Sequence, residues 1–211
     1  MKISIFYSKE NETNNVKEIF KEKDWYLEHN YRVFLPNNLS LENPTFNLTT
    51  ISQSVNDDYK ELDYQLVAEF LKSKESWLSS IVEPALKKID KTALDSYEVY
   101  LTKYGVGGGY ELPNKIGLDI KKDRDGLIKT LVHEIIHLSI EEEIARNKVG
   151  HFNKERVVDL LMQKLFPEIA RTPKNMPEGA KKAVDPIFNE NYPDIEKILS
   201  NVSAIRGKSS P

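Results

Sequence analysis

Cysteine is absent from the 211 residues. That excludes disulfides, thiolate metal ligands and a cysteine nucleophile. A transition-metal site in this chain must therefore use histidine and carboxylate. Long hydrophobic runs are missing too. No segment approaches the roughly 20 apolar residues of a membrane helix, so no membrane partner is expected. The apolar stretch at the N-terminus is short, and Lys9 and Glu10 follow it at once, so a signal peptide is not expected and the cytoplasm is the expected location. Charge of one sign is also lacking. The chain has 30 basic and 33 acidic residues, a net charge of −3, and so no nucleic-acid footprint. Histidine is scarce, yet three of the four fall between positions 133 and 151.

Hydrophobic residues make up 39% of the chain, enough for a real core. Residues 2–7 and 31–35 have strand composition, the second stopped by Pro36. Residues 36–56, rich in Asn, Ser and Thr, read as a loop or linker. Leu62, Leu66, Phe70 and Leu71 recur at helical spacing from Asp58 onward. A second helical run covers about 76–89, with Pro84 as a kink or divider and Trp77, Ile81 and Leu86 as core. Strands are expected at 97–104 and 114–120, joined by a flexible glycine turn at 105–109. A helix capped by Asp123 or Asp125 runs to about Ile144, with Gly126 awkwardly in its first turn. A loop at 145–152 leads to a helix from Lys154 to Phe166, capped by Asn153. Weak helices follow at about 178–190 and 194–204. The expected organisation is an N-terminal extension, 1–56, of undefined role, a domain over 57–206, and a flexible tail, 207–211. The fold class is α+β: a small sheet backed by helices, an active-site helix and a mostly helical C-terminal part.

The segment with chemistry is His133-Glu134-Ile135-Ile136-His137. It matches H-E-x-x-H. Positions i and i+4 share a helix face about 6 Å apart, so two imidazoles can converge on one ion. Glu134 then lies beside the metal, placed to act on a bound water. A surface helix with two stray histidines is the plain alternative. The flanks Leu131, Val132, Ile135, Ile136 and Leu138 argue for burial instead, and buried imidazoles need partners.

A catalytic zinc takes three protein ligands and keeps one position open. Glu141 is too far, about 12 Å along the helix axis from His133. Glu155, on the following helix, is the better candidate for third ligand. Asp159 shares its face at i+4 and can orient a ligand histidine, first of all His133. Val158, Met162 and Leu165 continue that face toward the motif helix. The plain alternative is an exposed acidic pair. His151, in the loop before the second helix, is the rival for third ligand. With Tyr110 it is also a candidate for the substrate oxyanion. Tyr104 and Tyr192 are further phenol candidates, and His29 reads as surface.

These residues resemble the gluzincins, the thermolysin-like branch of zinc metallopeptidases. In that family H-E-x-x-H is followed on the next helix by E-x-x-x-D, and this chain has Glu155-Arg-Val-Val-Asp159. The resemblance covers about residues 97–166, with Lys154 where the family commonly has Asn. It implies a zincin-like fold, Zn2+ held by His133, His137 and Glu155, and Glu134 as general base in peptide hydrolysis. It also implies a peptide or protein substrate along an edge strand, near 114–120. The alternative is a zincin-fold zinc protein that binds or regulates without turnover. A metal-free helical interaction module is a third reading. A di-iron carboxylate site fits less well, because Glu134-x-x-His137 occurs only once.

Overall fold

The computed structural model describes residues 1–42, 47–170 and 177–205. The expected flexible tail, 207–211, lies outside them. The chain divides into two compact units. One comprises Lys2–Ser76 and Ser96–Leu131, and the other Met1, Trp77–Asp95 and Val132–Pro211. The class is α+β, as expected.

The first unit holds the sheet. Its strands are β1 (Lys2–Phe6), β2 (Ser96–Thr102), β3 (Gly108–Glu111) and β4 (Lys115–Asp119), in the order β1-β2-β4-β3. The pairs β1–β2 and β2–β4 are parallel, and β3 runs antiparallel to β4. Side chains alternate across a strand. That alternation buries Tyr97, Val99 and Leu101 of β2 and Ile116 and Leu118 of β4. The strand expected at 114–120 is therefore real but interior. The edges are β1 and β3, and β3 takes up Gly108 and Gly109 of the segment expected to be a flexible turn.

The same unit carries α1 (Lys9–Lys21), α2 (Lys23–Glu28), α3 (Leu48–Asp58) and the first part of α4 (Glu61–Lys87). Helix α3 corrects the linker expected at 36–56. Asn47 caps it by accepting from the Thr50 amide at 2.9 Å. Ile51 and Val55, one turn apart, bury against Val16 and Ile19 of α1 and against Tyr104. Polar composition concealed this two-residue stripe. Residues 31–35 do not form the expected strand. Among the described residues only Phe34 pairs there, in an isolated bridge to Gly105. Pro36, lacking an amide donor, cannot extend the ladder.

Helix α4 is one helix where two runs were expected. Pro84 falls in its last turn, where it removes one backbone donor without dividing the helix. Its buried stripe in the sheet unit is Tyr64, Ala68 and Leu71. Leu62 and Leu66, which mark the helical spacing, are 63% and 59% exposed, and Trp77, expected in the core, is 41% exposed.

Helix α5 (Arg124–Asn147) begins as expected at Asp123, whose Oδ1 accepts from the Gly126 amide at 2.6 Å. A Cβ at position 126 would meet that same oxygen at 2.8 Å. The glycine that looked misplaced is what lets the capping carboxylate come close.

The second unit is helical. It contains the rest of α4 and α5, then α6 (His151–Leu165), α7 (Glu178–Asn191) and α8 (Ile195–Ala204). Its core joins Leu78, Val82 and Leu86 of α4, Val132, Ile135, Ile136 and Ile140 of α5, and Val157, Val158, Leu161 and Met162 of α6. Val184 and Phe188 of α7 and Ile198 and Leu199 of α8 complete it. Two boundaries differ from expectation. Helix α5 persists to Asn147, and Lys148 stops it with a left-handed φ of 53°. Helix α6 starts at His151 after Gly150, not at Lys154 after Asn153. The expected loop at 145–152 thus shrinks to 148–150. Among the described residues no helix is long and apolar enough to cross a membrane.

Candidate metal centre

His133, Glu134, His137, Glu155 and Asp159 all belong to the helical unit. Helix α5 sets His133 and His137 one turn apart, and apolar residues around them hold that turn in the core. The His137 side chain is 1% exposed and that of His133 17%. Helix α6 supplies Glu155, 24% exposed, and Asp159 one turn on, 11% exposed. Val158, Met162 and Leu165 of α6 are buried, as their spacing implied.

Three side chains converge. His133 Nε2 lies 3.1 Å from His137 Nε2. Glu155 Oε2 lies 3.3 Å from the first nitrogen and 3.4 Å from the second. A tetrahedral ion with ligand bonds of about 2.0–2.1 Å has ligand–ligand edges of about 3.3–3.4 Å. The triangle is therefore the right size for one face of such a tetrahedron. His133, His137 and Glu155 can hold a metal ion.

A metal requires neutral imidazole and carboxylate, and His137 and Glu155 are shifted toward those forms while His133 is shifted the other way. Burial pushes His137 down to about 4, with the charges of His133 and Lys154 adding to it and Glu155 opposing. Burial also acts to lower His133. The hydrogen bond to Glu155 and the charges of Glu134, Glu155 and Asp159 outweigh it and leave His133 raised. Burial would raise Glu155, but the two histidines hold its carboxyl well below the usual carboxylate range. The cluster is one anion facing two ring nitrogens whose basicities have been pushed apart.

Glu134 is 6% exposed and stands outside the ligand triangle. Its charge is one of those that raise His133. Asp159 Oδ1 approaches His133 Nδ1 at 4.0 Å. The carboxylate is on the expected side of the ring, but the separation exceeds a hydrogen bond. His151 was expected in a loop and lies on the first turn of α6. Its Nδ1 is 4.0 Å from Glu155 Oε1, and it is not one of the three convergent groups. As third ligand, Glu155 fits where His151 does not.

The phenol candidates separate. Tyr104 belongs to the buried cluster of the sheet unit and donates to Asp58 Oδ2 at 2.9 Å. Tyr110 lies on β3, also in the sheet unit. Tyr192, in the helical unit, packs against Phe188 with ring centroids 5.5 Å apart. His29 stacks on Trp25 at 4.4 Å.

Sequence reasoning missed Arg156. It follows Glu155 and is 7% exposed. Its Nε and Nη2 donate to the two carboxylate oxygens of Asp185 on α7, each at 2.6 Å. This fork ties the ligand-bearing helix to its neighbour. The signal was an arginine inside an apolar run, but its partner lies 29 positions away. No family model, no curated protein and no solved structure matches the chain.

Proposed function

We propose that this chain is a zinc-dependent metallopeptidase of the gluzincin type. The observation that supports the reading is the triangle of His133 Nε2, His137 Nε2 and Glu155 Oε2, with edges of 3.1, 3.3 and 3.4 Å. Two imidazoles and one carboxylate, with no cysteine in the chain, suit zinc and leave a fourth position open. A zinc ion held there supplies a Lewis acid that brings the pKa of water toward neutrality.

The protein's own groups do the rest. His133, His137 and Glu155 bind and orient. Glu134 is adjacent to His133 in sequence and carries the carboxylate that accepts a proton from the attacking water. The same carboxylate then returns the proton to the nitrogen of the leaving amine. Asp159, on the Nδ1 side of the His133 ring at 4.0 Å, would set the tautomer by closing to hydrogen-bond distance when the ligands draw together. The fork between Arg156 and Asp185 holds α6, and with it Glu155, in place.

Glu134→Gln tests the base assignment. Zinc content should stay at that of the wild type, while cleavage of an unstructured peptide mixture should fall by about 100-fold or more. Wild-type turnover in that variant would refute the assignment. A second reading keeps the zinc site and drops the turnover. It is favoured by the burial of Glu134, only 6% exposed, since a general base must meet both water and substrate. A wild-type protein that binds zinc and cleaves nothing in the same mixture selects it.

A further inference from the structure

We infer that His151 is a positioning residue for the third ligand: it sets how Glu155 presents its carboxylate to the metal. The inference rests on the metal-centre reading above and concerns a residue outside the ligand set.

The two oxygens of Glu155 are not equivalent. Oε2 is nearly equidistant from both Nε2 atoms, at 3.3 and 3.4 Å, and so occupies the ligand vertex. Oε1 lies 3.3 Å from His137 Nε2 and 4.0 Å from His151 Nδ1. His151 is one turn before Glu155 on α6, so the two side chains share a face. The early start of α6 is what creates this relation; a loop through 152 would not hold His151 in register with Glu155. The His151 ring is itself held, in edge contact with Phe152 at 5.1 Å between centroids. Its side chain is 20% exposed, comparable to Glu155 and unlike the enclosed His137.

A carboxylate that gives one oxygen to a metal leaves the other without a strong partner. It then either turns to bind through both oxygens or accepts a hydrogen bond from outside the ligand set. Outer donors of this kind hold ligands in their binding orientation, and losing one typically weakens metal affinity about 10- to 100-fold. Nδ1 of His151, at 4.0 Å from Oε1 and so beyond hydrogen-bond range, becomes that donor by closing on Oε1 when Glu155 takes the ion through Oε2. That contact would hold Glu155 to a single oxygen toward the metal. Without His151 the carboxylate is free to swing Oε1 inward as well.

The test uses the full chain, with zinc and cobalt(II) as probes. His151→Ala should weaken zinc binding by about 10-fold or more in a chelator competition. The cobalt-loaded variant should lose visible absorbance, as a site passing from four to five ligands does. His151→Asn, which restores an amide donor, should recover part of both. Thermal unfolding of the metal-free protein should be the same for all three proteins. Unchanged affinity and spectrum in His151→Ala, with a wild type that binds zinc, overturns this inference alone. Weakened affinity with an equal loss of metal-free stability and no rescue by Asn also overturns it, because the role is then structural. A wild type that binds neither ion overturns the metal centre itself and this inference with it.

Discussion

Each unit sets a carboxylate among polar groups, and the two are built on opposite terms. In the sheet unit, Glu12 is 1% exposed. It accepts from the Tyr64 hydroxyl, from the Thr102 hydroxyl at 2.6 Å and from the Lys103 amide at 2.7 Å. Every partner is a donor, so the network is complete without a ligand. Burial still raises the Glu12 pKa, against the pull of Thr102, Tyr64 and Lys103. In the helical unit, Glu155 faces two ring nitrogens that also face each other. The three atoms lie within 3.1–3.4 Å of one another, and while one ring N–H can serve a single contact, one cation can serve all three. A buried acid ringed by donors ties elements together. An acid facing two ring nitrogens that also face each other has a place for an ion.

That contrast can be broken by experiment. Its largest expected effect is in Glu155→Ala. Zinc affinity should drop by more than the roughly 100-fold that an outer partner is worth. Metal-free stability should change by only about 1 kcal/mol. Retained zinc binding would show that the triangle is not the binding site. Next is Glu12→Leu, which strands three buried donors at about 1–3 kcal/mol each. Urea unfolding should report a loss of about 3–5 kcal/mol, with zinc affinity unchanged. A variant as stable as wild type would mean that the Glu12 network does not hold the sheet unit together.

The smallest effect sharpens the comparison through pH. Lys91 pairs with Glu143 in the helical unit, and the two side chains are 21% and 12% exposed. Burial works to raise Glu143, but the hydrogen bond and charge of Lys91 and the charge of Arg146 leave it below its ordinary value of 4.5. A depressed carboxylate contributes stability above its unfolded pKa, and the contribution is lost as pH falls through the folded value. Glu12, raised by burial, has the opposite sign: its contribution is full below 4.5 and declines as pH rises through the folded value. Lys91→Met should therefore cost about 1 kcal/mol at neutral pH and flatten the acid side of the stability profile. Equal acid sensitivity in variant and wild type would remove the pair from the account.

Much of the candidate site was legible because its logic is local. One helical turn carries His133 to His137, and the apolar flanks announce burial. Glu155 and Asp159 were legible as a pair because i and i+4 share a face. What stayed hidden depends on partners distant in sequence. The Glu12 network joins α1, α4 and β2 across 90 positions between Glu12 and Thr102. Arg156 finds Asp185 only after α6 and α7 pack. Helix α3 was invisible because its stripe is two residues long in a polar segment.

The sequence by itself determined the class of the fold, the buried helix of the motif and the spacing of its two imidazoles. Those follow from residues within a few turns of one another, where the geometry of the α-helix leaves little choice. Tertiary structure alone decided that 115–119 is an interior strand with β3 at an edge. It also brought Glu155 Oε2, and not His151, to the vertex facing both rings. Such outcomes come from the packing of segments far apart in the chain, and no local period encodes which surface a helix or strand will meet.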